Sequence, residues 1–282
     1  MREDRRTAGA IPLSENSPRD PGPAAIDPYR LSLLLESSSP VMLRAVATAR
    51  NVAPFAMPVL LTGETGTGKR VLAAAIHDWS PRRAGPFVTV SGRAPEKLRR
   101  EPGEPHADAA TAPYDDERWA PSVPDGTLFL DDVGMLSGVA QAKLIRFLDE
   151  DRSADPRAEQ TPTAWTRVIA ATGRDLESDV QAGRFRHELF FRLNVVTIHL
   201  PPLRERREDL PRLTASILAT MCHRHRRPSL ELAPQVRAAL AAHDWRGNLR
   251  ELEMVLEHAI VLARTDMIQL GDLPERVLGA RS

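Results

Sequence analysis

The sequence has a single cysteine, Cys222, among 282 residues. No internal disulfide can form, which excludes small cross-linked secreted scaffolds and fits a reducing compartment. There is no excess of either charge: 38 Lys and Arg balance 38 Asp and Glu. A neutral chain has no general pull toward nucleic acid or anionic membrane, although local basic patches remain possible. Long apolar runs are also missing, so no segment reads as a membrane span. The charged start Met1-Arg-Glu-Asp-Arg-Arg6 is not followed by the apolar stretch of a secretory signal. The expectation is a cytoplasmic protein. Hydrophobic residues make up 42% of the chain. That supports one sizeable domain, or a core domain with a small second one.

Residues 1–30 mix prolines, charges and small residues without an apolar period and read as a disordered arm. Helical spacing runs from Leu31 to Val52, interrupted near Ser37–Pro40. Short apolar runs then predict strands at 58–62, 86–90, 127–131, 167–171 and 195–200. Helical patterns at 71–79, 137–150, 175–182 and 185–193 separate them. The interval 91–126 is rich in proline and charge and reads as a long loop. After Arg207 the pattern is wholly helical, at about 209–225, 234–243 and 248–264. Strands alternating with helices predict an α/β fold with a parallel sheet, and the tail predicts a separate helical lid. The expected division is an arm at 1–30, a nucleotide-binding α/β part at 31–207 and a lid at 208–282.

The strand at 58–62 enters Gly63-Glu64-Thr65-Gly66-Thr67-Gly68-Lys69, and a helix follows. This is the context a phosphate loop requires. Its glycines let backbone N–H groups turn toward phosphate oxygens, and the helix N-terminus adds a positive dipole end. Lys69 is expected on the β- and γ-phosphates. The strict pattern places Ser or Thr next, on magnesium, and Arg70 stands there instead. Asp131 and Asp132 close the strand at 127–131. The first is expected to hold Mg2+ through water and the second to orient an attacking water. Arg186 and Arg192 lie six apart, on nearly one helical face, and by themselves read as surface charges. Arg250 follows Asn248, a fair helix cap, and by itself also reads as a surface arginine. Cys222, His223 and His225 do not read as a metal site, because their spacing matches no common ligand set and no fourth ligand is evident.

Taken together, these segments resemble the AAA+ domain of sigma-54-dependent transcriptional activators, the bacterial enhancer-binding proteins. The resemblance is carried by Gly63–Lys69, Gly126-Thr-Leu-Phe-Leu-Asp131, Ile169-Ala-Ala-Thr172 with Arg174-Asp-Leu176, Gly183–Val196, Leu200-Pro-Pro-Leu-Arg-Glu-Arg206 and Trp245–Glu253. It covers about residues 35–275 in order. It implies an AAA+ P-loop NTPase: a parallel-sheet α/β subdomain followed by a small α-helical lid, with ATP and Mg2+ as cofactors. It implies a ring oligomer of the chain itself or related AAA+ subunits, with ATP at the interfaces. It assigns Arg186 and Arg192 as arginine fingers reaching a neighbour's γ-phosphate, and Arg250 as the lid's sensor arginine. An arginine fork suits that task because it neutralises charge on the transferring phosphoryl group.

The departures from the family pattern shape the functional expectation. Nothing in 91–126 resembles the Gly-Ala-Phe-Thr-Gly-Ala loop that contacts sigma-54. The second acid is Asp132, one methylene shorter than the family's glutamate. The first-sensor asparagine is replaced by Gly173, and the asparagine that restrains the glutamate aligns with Ser91. The expectation is an ATP-binding regulator of transcription in which turnover and contact with sigma-54 RNA polymerase are weakened or lost. The alternatives are an active ATPase that remodels sigma-54 polymerase, and a nucleotide-dependent interaction module without turnover. No helix-turn-helix is recognised, so DNA binding by this chain alone is not expected.

Overall fold

In the computed structural model the described residues are 28–93, 123, 125–153 and 166–278. Chain order begins with helices α1 (Pro28–Leu35) and α2 (Pro40–Val52), then β1 (Val59–Thr62), α3 (Lys69–Asp78), β2 (Phe87–Ser91) and β3 (Thr127–Asp131). There follow α4 (Gly138–Ser153), β4 (Arg167–Thr172), α5 (Leu176–Gln181), α6 (His187–Leu193) and β5 (Val196–His199). The expected arm at 1–30 is too long at its C-terminal end: Pro28 already opens α1, where its fixed φ suits a first helical turn. The rest of that arm, residues 1–27, lies outside the described residues, as do 94–122 of the expected long loop.

The five strands form one parallel sheet in the order β2-β3-β4-β1-β5. Their alternating side chains divide between two cores, the period-2 consequence of a sheet buried on both faces. Val59, Leu61, Phe129, Ile169 and Ala171 join the core under α2 and α3. Leu60, Leu128, Leu130, Val168 and Ala170 join the one under α4 and α6. The sheet places Thr62, Ser91, Asp131, Thr172 and His199 at the carboxyl ends of its strands. The order reverses at β1, and a crevice at such a reversal is where ligands bind on open α/β sheets.

The C-terminal part contains α7 (Leu210–Arg224), β6 (Glu231–Leu232), α8 (Pro234–Ala242), α9 (Asn248–Leu262), β7 (Met267–Ile268) and α10 (Glu275–Leu278). It is not wholly helical as the pattern suggested, because β6 and β7 pair in parallel. Two-residue strands carry too little alternation to be seen in sequence. Nor is its core separate: Leu213, Ile217, Leu252, Val255 and Leu256 belong to the same apolar cluster as Leu61, Leu72 and Ile76. The helical part therefore sits on the phosphate-loop side of the sheet with a continuous apolar base. Among the described residues no helix is long and apolar enough to cross a membrane.

Candidate functional site

The loop between β1 and α3 is shaped by glycines. Gly66 has φ 83° and Gly68 φ 109°, backbone that a side chain disfavours. Space is also closed there. A Cβ on Gly66 would stand 2.2 Å from the Gly247 carbonyl oxygen, and one on Gly68 2.8 Å from a Leu34 methyl. The loop is thus enclosed by α1 on one side and by the start of α9 on the other. Lys69 opens α3, two residues earlier than the pattern placed the helix, and its Nζ donates to the carbonyls of Gly63 (2.7 Å) and Glu64 (2.9 Å). Burial, only partly offset by Asp132 and Asp131, holds the ammonium below the usual lysine range.

A web of polar contacts ties the loop to the C-terminal part. Glu64 accepts a fork from Arg204 at 2.6 and 2.8 Å, which holds its carboxyl below the usual range. Asn248 is fully buried and bridges three segments. Its Nδ2 donates to the Thr65 carbonyl (3.0 Å) and to Glu64 (3.2 Å), and its Oδ1 accepts from Leu203 N (2.7 Å). Leu249 N donates to the Gly66 carbonyl at 3.1 Å. Arg206, also fully buried, donates to the Thr67 carbonyl at 3.3 Å. The expected cap role of Asn248 is therefore corrected. It has φ 54° and opens α9, and its side chain faces the phosphate loop instead of its own helix.

A cleft of about 430 Å³ lies between loop, α1 and α9, lined among others by Thr65, Gly66, Gly68, Lys69, Arg70, Asp131, Asp132 and Arg250. Leu33, Leu34, Val71, Ala74, Phe87 and Leu249 supply an apolar wall. Cations and inward backbone at one end, with aliphatic surface beside them, suit a phosphorylated ligand carrying a flat ring. Asp131 has its carboxyl pushed up by burial first and by the charge of Asp132 second, while Lys69 and Arg70 pull it down. Arg70, at the position of the missing Ser or Thr, thus places positive charge on that acid.

The side of the site toward β2 and β4 is built differently. Asp132 turns the chain at φ 55°, a left-handed conformation that aspartate tolerates better than most residues. Its Oδ2 accepts from Arg93 Nε at 2.6 Å. Next to this pair a cavity of about 320 Å³ is lined by Thr65, Met135, Thr172, Gly173, Arg174 and Arg246 among others. A Cβ on Gly173 would meet only the Gly63 carbonyl oxygen, at 3.4 Å, an ordinary contact. The fold leaves room there for a side chain. Ser91 pairs in register with Asp131, and its Oγ accepts from Arg93 N at 3.3 Å.

Of the residues singled out in sequence, the structure gathers Thr65, Gly66, Gly68, Lys69, Arg70, Asp131, Asp132 and Arg250 around the cleft. Gly63, Glu64 and Thr67 shape the loop, with the Thr67 hydroxyl on the Glu64 carbonyl at 2.9 Å. Arg186 and Arg192 are not among the lining residues of this cleft, nor do they share a helical face. Arg186 is the extended residue before α6, its N–H donating to Gln141 Oε1 at 2.8 Å, whereas Arg192 lies in the last turn and pairs with Asp149 and Glu188. Sequence reasoning missed Arg93, Arg204 and the bridging role of Asn248. Arg204 and Asn248 lie in matched motifs, so a signal existed. Arg93 had none, because its partner is 39 residues away.

The profile of the family described as "Sigma-54 interaction domain" matches residues 35–199, and that of the "AAA+ ATPase lid domain" matches 204–282. The transcriptional regulatory protein ZraR of Salmonella typhimurium is 40% identical over 240 residues, covering 84% of this chain and 54% of the relative. The Nif-specific regulatory protein of Azotobacter vinelandii is 38% identical over 243 residues, covering 85% and 46%. The chain thus spans about half the length of these curated relatives. Among solved structures, NtrX from Brucella abortus in complex with ADP superposes with a TM-score of 0.70 at 29% identity, covering 88% of this chain and 58% of that one. NtrX in complex with ATP gives 0.69 at 28%, covering 86% and 56%. The chain belongs to the sigma-54 interaction domain family of AAA+ proteins, as its motif order implied.

Proposed function

We propose that this chain binds ATP with Mg2+ in the cleft, assembles through it with copies of itself or related AAA+ subunits, and serves in transcription regulation with slowed hydrolysis. One observation carries the reading. The phosphate loop is held by hydrogen bonds from buried Asn248 at the start of α9, whereas on the other side the acid expected to work on water is engaged by Arg93. NtrX, its relative in fold and sequence, is described in complexes with ADP and with ATP.

Lys69 would leave its carbonyl partners for the phosphates, and Arg250 would face them from α9. The apolar wall with Leu33, Leu34 and Leu249 would receive the adenine. Asp131 would hold the metal: a buried carboxylate next to a second one is short of positive charge, which is what a divalent cation adds. When bound, the metal supplies charge neutralisation between phosphate oxygens. Arg186 and Arg192 would act on a neighbouring subunit's nucleotide. In support, Arg186 is exposed on a segment anchored by buried Gln141, and Phe191 nearby is 60% exposed.

Hydrolysis is expected to be slow because Asp132 is short, Gly173 offers no polar group and Asp132 is already paired. A misplacement of about 1 Å can cost roughly a hundredfold. Sigma-54 contact is expected to be weakened or lost, since no matching loop motif stands in 91–126. The competing reading, an active sigma-54 remodeller, draws on the persistence of both acids at the end of β3. Equilibrium ATP binding and steady-state hydrolysis on the purified chain, with Lys69→Ala as control, test the proposal. Binding that depends on Lys69 supports it; no binding to the folded protein at millimolar ATP refutes it. Stable capture of sigma-54 with a transition-state analogue would count against the weakened contact.

A further inference from the structure

We propose that Arg30 and Glu253 are positioning residues: their ion pair holds α1 to α9 across the mouth of the cleft and parts for a nucleotide to enter or leave. This rests on the reading that the cleft takes ATP. Arg30 Nη2 donates to Glu253 Oε2 at 3.0 Å, and both side chains line the cleft. Their places on the two helices correspond. On α1, Leu34 lies against Gly68 of the phosphate loop, and Arg30 stands four residues before it. On α9, Leu249 N holds the Gly66 carbonyl, and Glu253 stands four residues after it. Four residues are one helical turn. The pair therefore bridges the two helices one turn out from the loop, on the faces that look into the cleft.

The two ends of α1 are held unequally. At its C-terminal end Leu33 and Leu34 are buried, and Arg212 of α7 donates to the Leu33 carbonyl (3.0 Å) and to Glu36 (3.1 Å). Beyond it Ser37 and Ser38 are clamped on the fully buried Asp209, with Ser38 N at 2.7 Å from Oδ1. At the other end Pro28 and Arg30 are exposed and Tyr29 is only partly buried. A helix of eight residues does not hold itself in water, so its contacts decide its position. Arg30 lies in the first turn, where a positive charge opposes the helix dipole, and that turn contains no acid. Glu253, whose side chain is 13% exposed, supplies the negative charge from α9. Helix α1 is thus a flap fixed at its C-terminal end and closed at its N-terminal end by this pair. Opening precedes both entry and exit, so the pair sets the two rates together and leaves the affinity nearly constant. An arginine that only attracted or touched the phosphates would act with the opposite sign: its loss would slow entry and weaken binding.

The experiment compares the unchanged chain with Arg30→Ala, Glu253→Ala, the double variant Arg30→Ala/Glu253→Ala and the charge swap Arg30→Glu/Glu253→Arg. Stopped-flow fluorescence with the N-methylanthraniloyl derivative of ADP measures entry and release. Each alanine variant is expected to speed both rates roughly twofold to fivefold, the range an exposed ion pair supports, with the dissociation constant moving by less than about twofold. The double variant should be no faster than either single one, and the swap should return the rates to within about twofold of the unchanged chain. Added salt should speed release from the unchanged chain more than from Arg30→Ala, because it screens the pair. If Arg30→Ala binds the probe with unchanged rates, the latch is wrong while the nucleotide reading stands. Slower entry with weaker affinity would make Arg30 a contact of the ligand and overturn the latch. A swap at least as fast as the single variants overturns the pairing. If the unchanged chain does not bind the probe, both readings fail.

Discussion

The two halves of the phosphate site differ in how tightly they are made. Toward α9, contacts from Asn248, Arg206 and Leu249, much of them buried, pin the loop backbone, and Arg204 pins Glu64. Toward β2 and β4, the polar groups are half-exposed, Gly173 adds nothing, and a cavity stands open beside the acid. In the proposed function the first half holds the anionic phosphates. In the same proposal the second is where a water would be aimed. The proposal of slowed hydrolysis rests on this contrast: more contacts on the side proposed to hold the ligand, fewer on the side proposed to aim the water.

The comparison breaks first at Lys69. Lys69→Ala should lower ATP affinity by about a hundredfold or more, since a charge-assisted contact inside a partly buried site is lost. Titration by isothermal calorimetry checks it, and near-normal affinity would remove the holding half from the account. Next comes Asn248→Ala. One buried and two part-buried hydrogen-bonding partners lose their bridge, so folding should weaken by about 2 kcal/mol, measured by urea unfolding. A change under about 0.5 kcal/mol would mean the loop is not held from α9.

Gly173→Asn sharpens the other half. Because a Cβ fits there, the melting temperature should stay nearly constant while hydrolysis rises, roughly tenfold, through a restored polar group near the terminal phosphate. A large loss of stability would contradict the steric reading, and an unchanged rate would shift the deficit to Asp132.

The smallest effect concerns Asp131. Its folded pKa lies above the ordinary carboxylate range, so its share of stability is present below that range and lost as pH rises through the raised value. Metal-dependent ATP affinity should run the opposite way, present above that value and fading below it. Asp131→Asn should therefore stabilise the ligand-free protein at neutral pH by roughly 1 kcal/mol while removing the metal dependence. Thermal unfolding against pH, with and without Mg2+, reads both signs.

Much of this was legible in sequence because it is local. The strands at Val59–Thr62 and Thr127–Asp131 announce themselves as apolar runs, and Gly63–Lys69 is contiguous. The parallel sheet follows from the alternation of strands and helices, and the contents of its two faces from the period of two, whereas the strand order with β1 between β4 and β5 comes from the structure. What was not legible depends on distant partners. Nothing around Arg93 points to Asp132, and nothing around Asn248 distinguishes a helix cap from a bridge to Glu64 and Thr65. The paired strands Glu231–Leu232 and Met267–Ile268 are too short for a pattern to register. Gly173 is visible as an absence, but only the structure shows that its missing side chain is not demanded by crowding.

The most direct test joins binding and turnover in one sample: ATP affinity and steady-state hydrolysis of the same preparation at saturating Mg2+. The expected result is saturable, Lys69-dependent binding with turnover far below the roughly 10 s⁻¹ of a typical enzyme. Turnover at or above that rate, with the same binding, would contradict a site built to hold ATP more than to spend it.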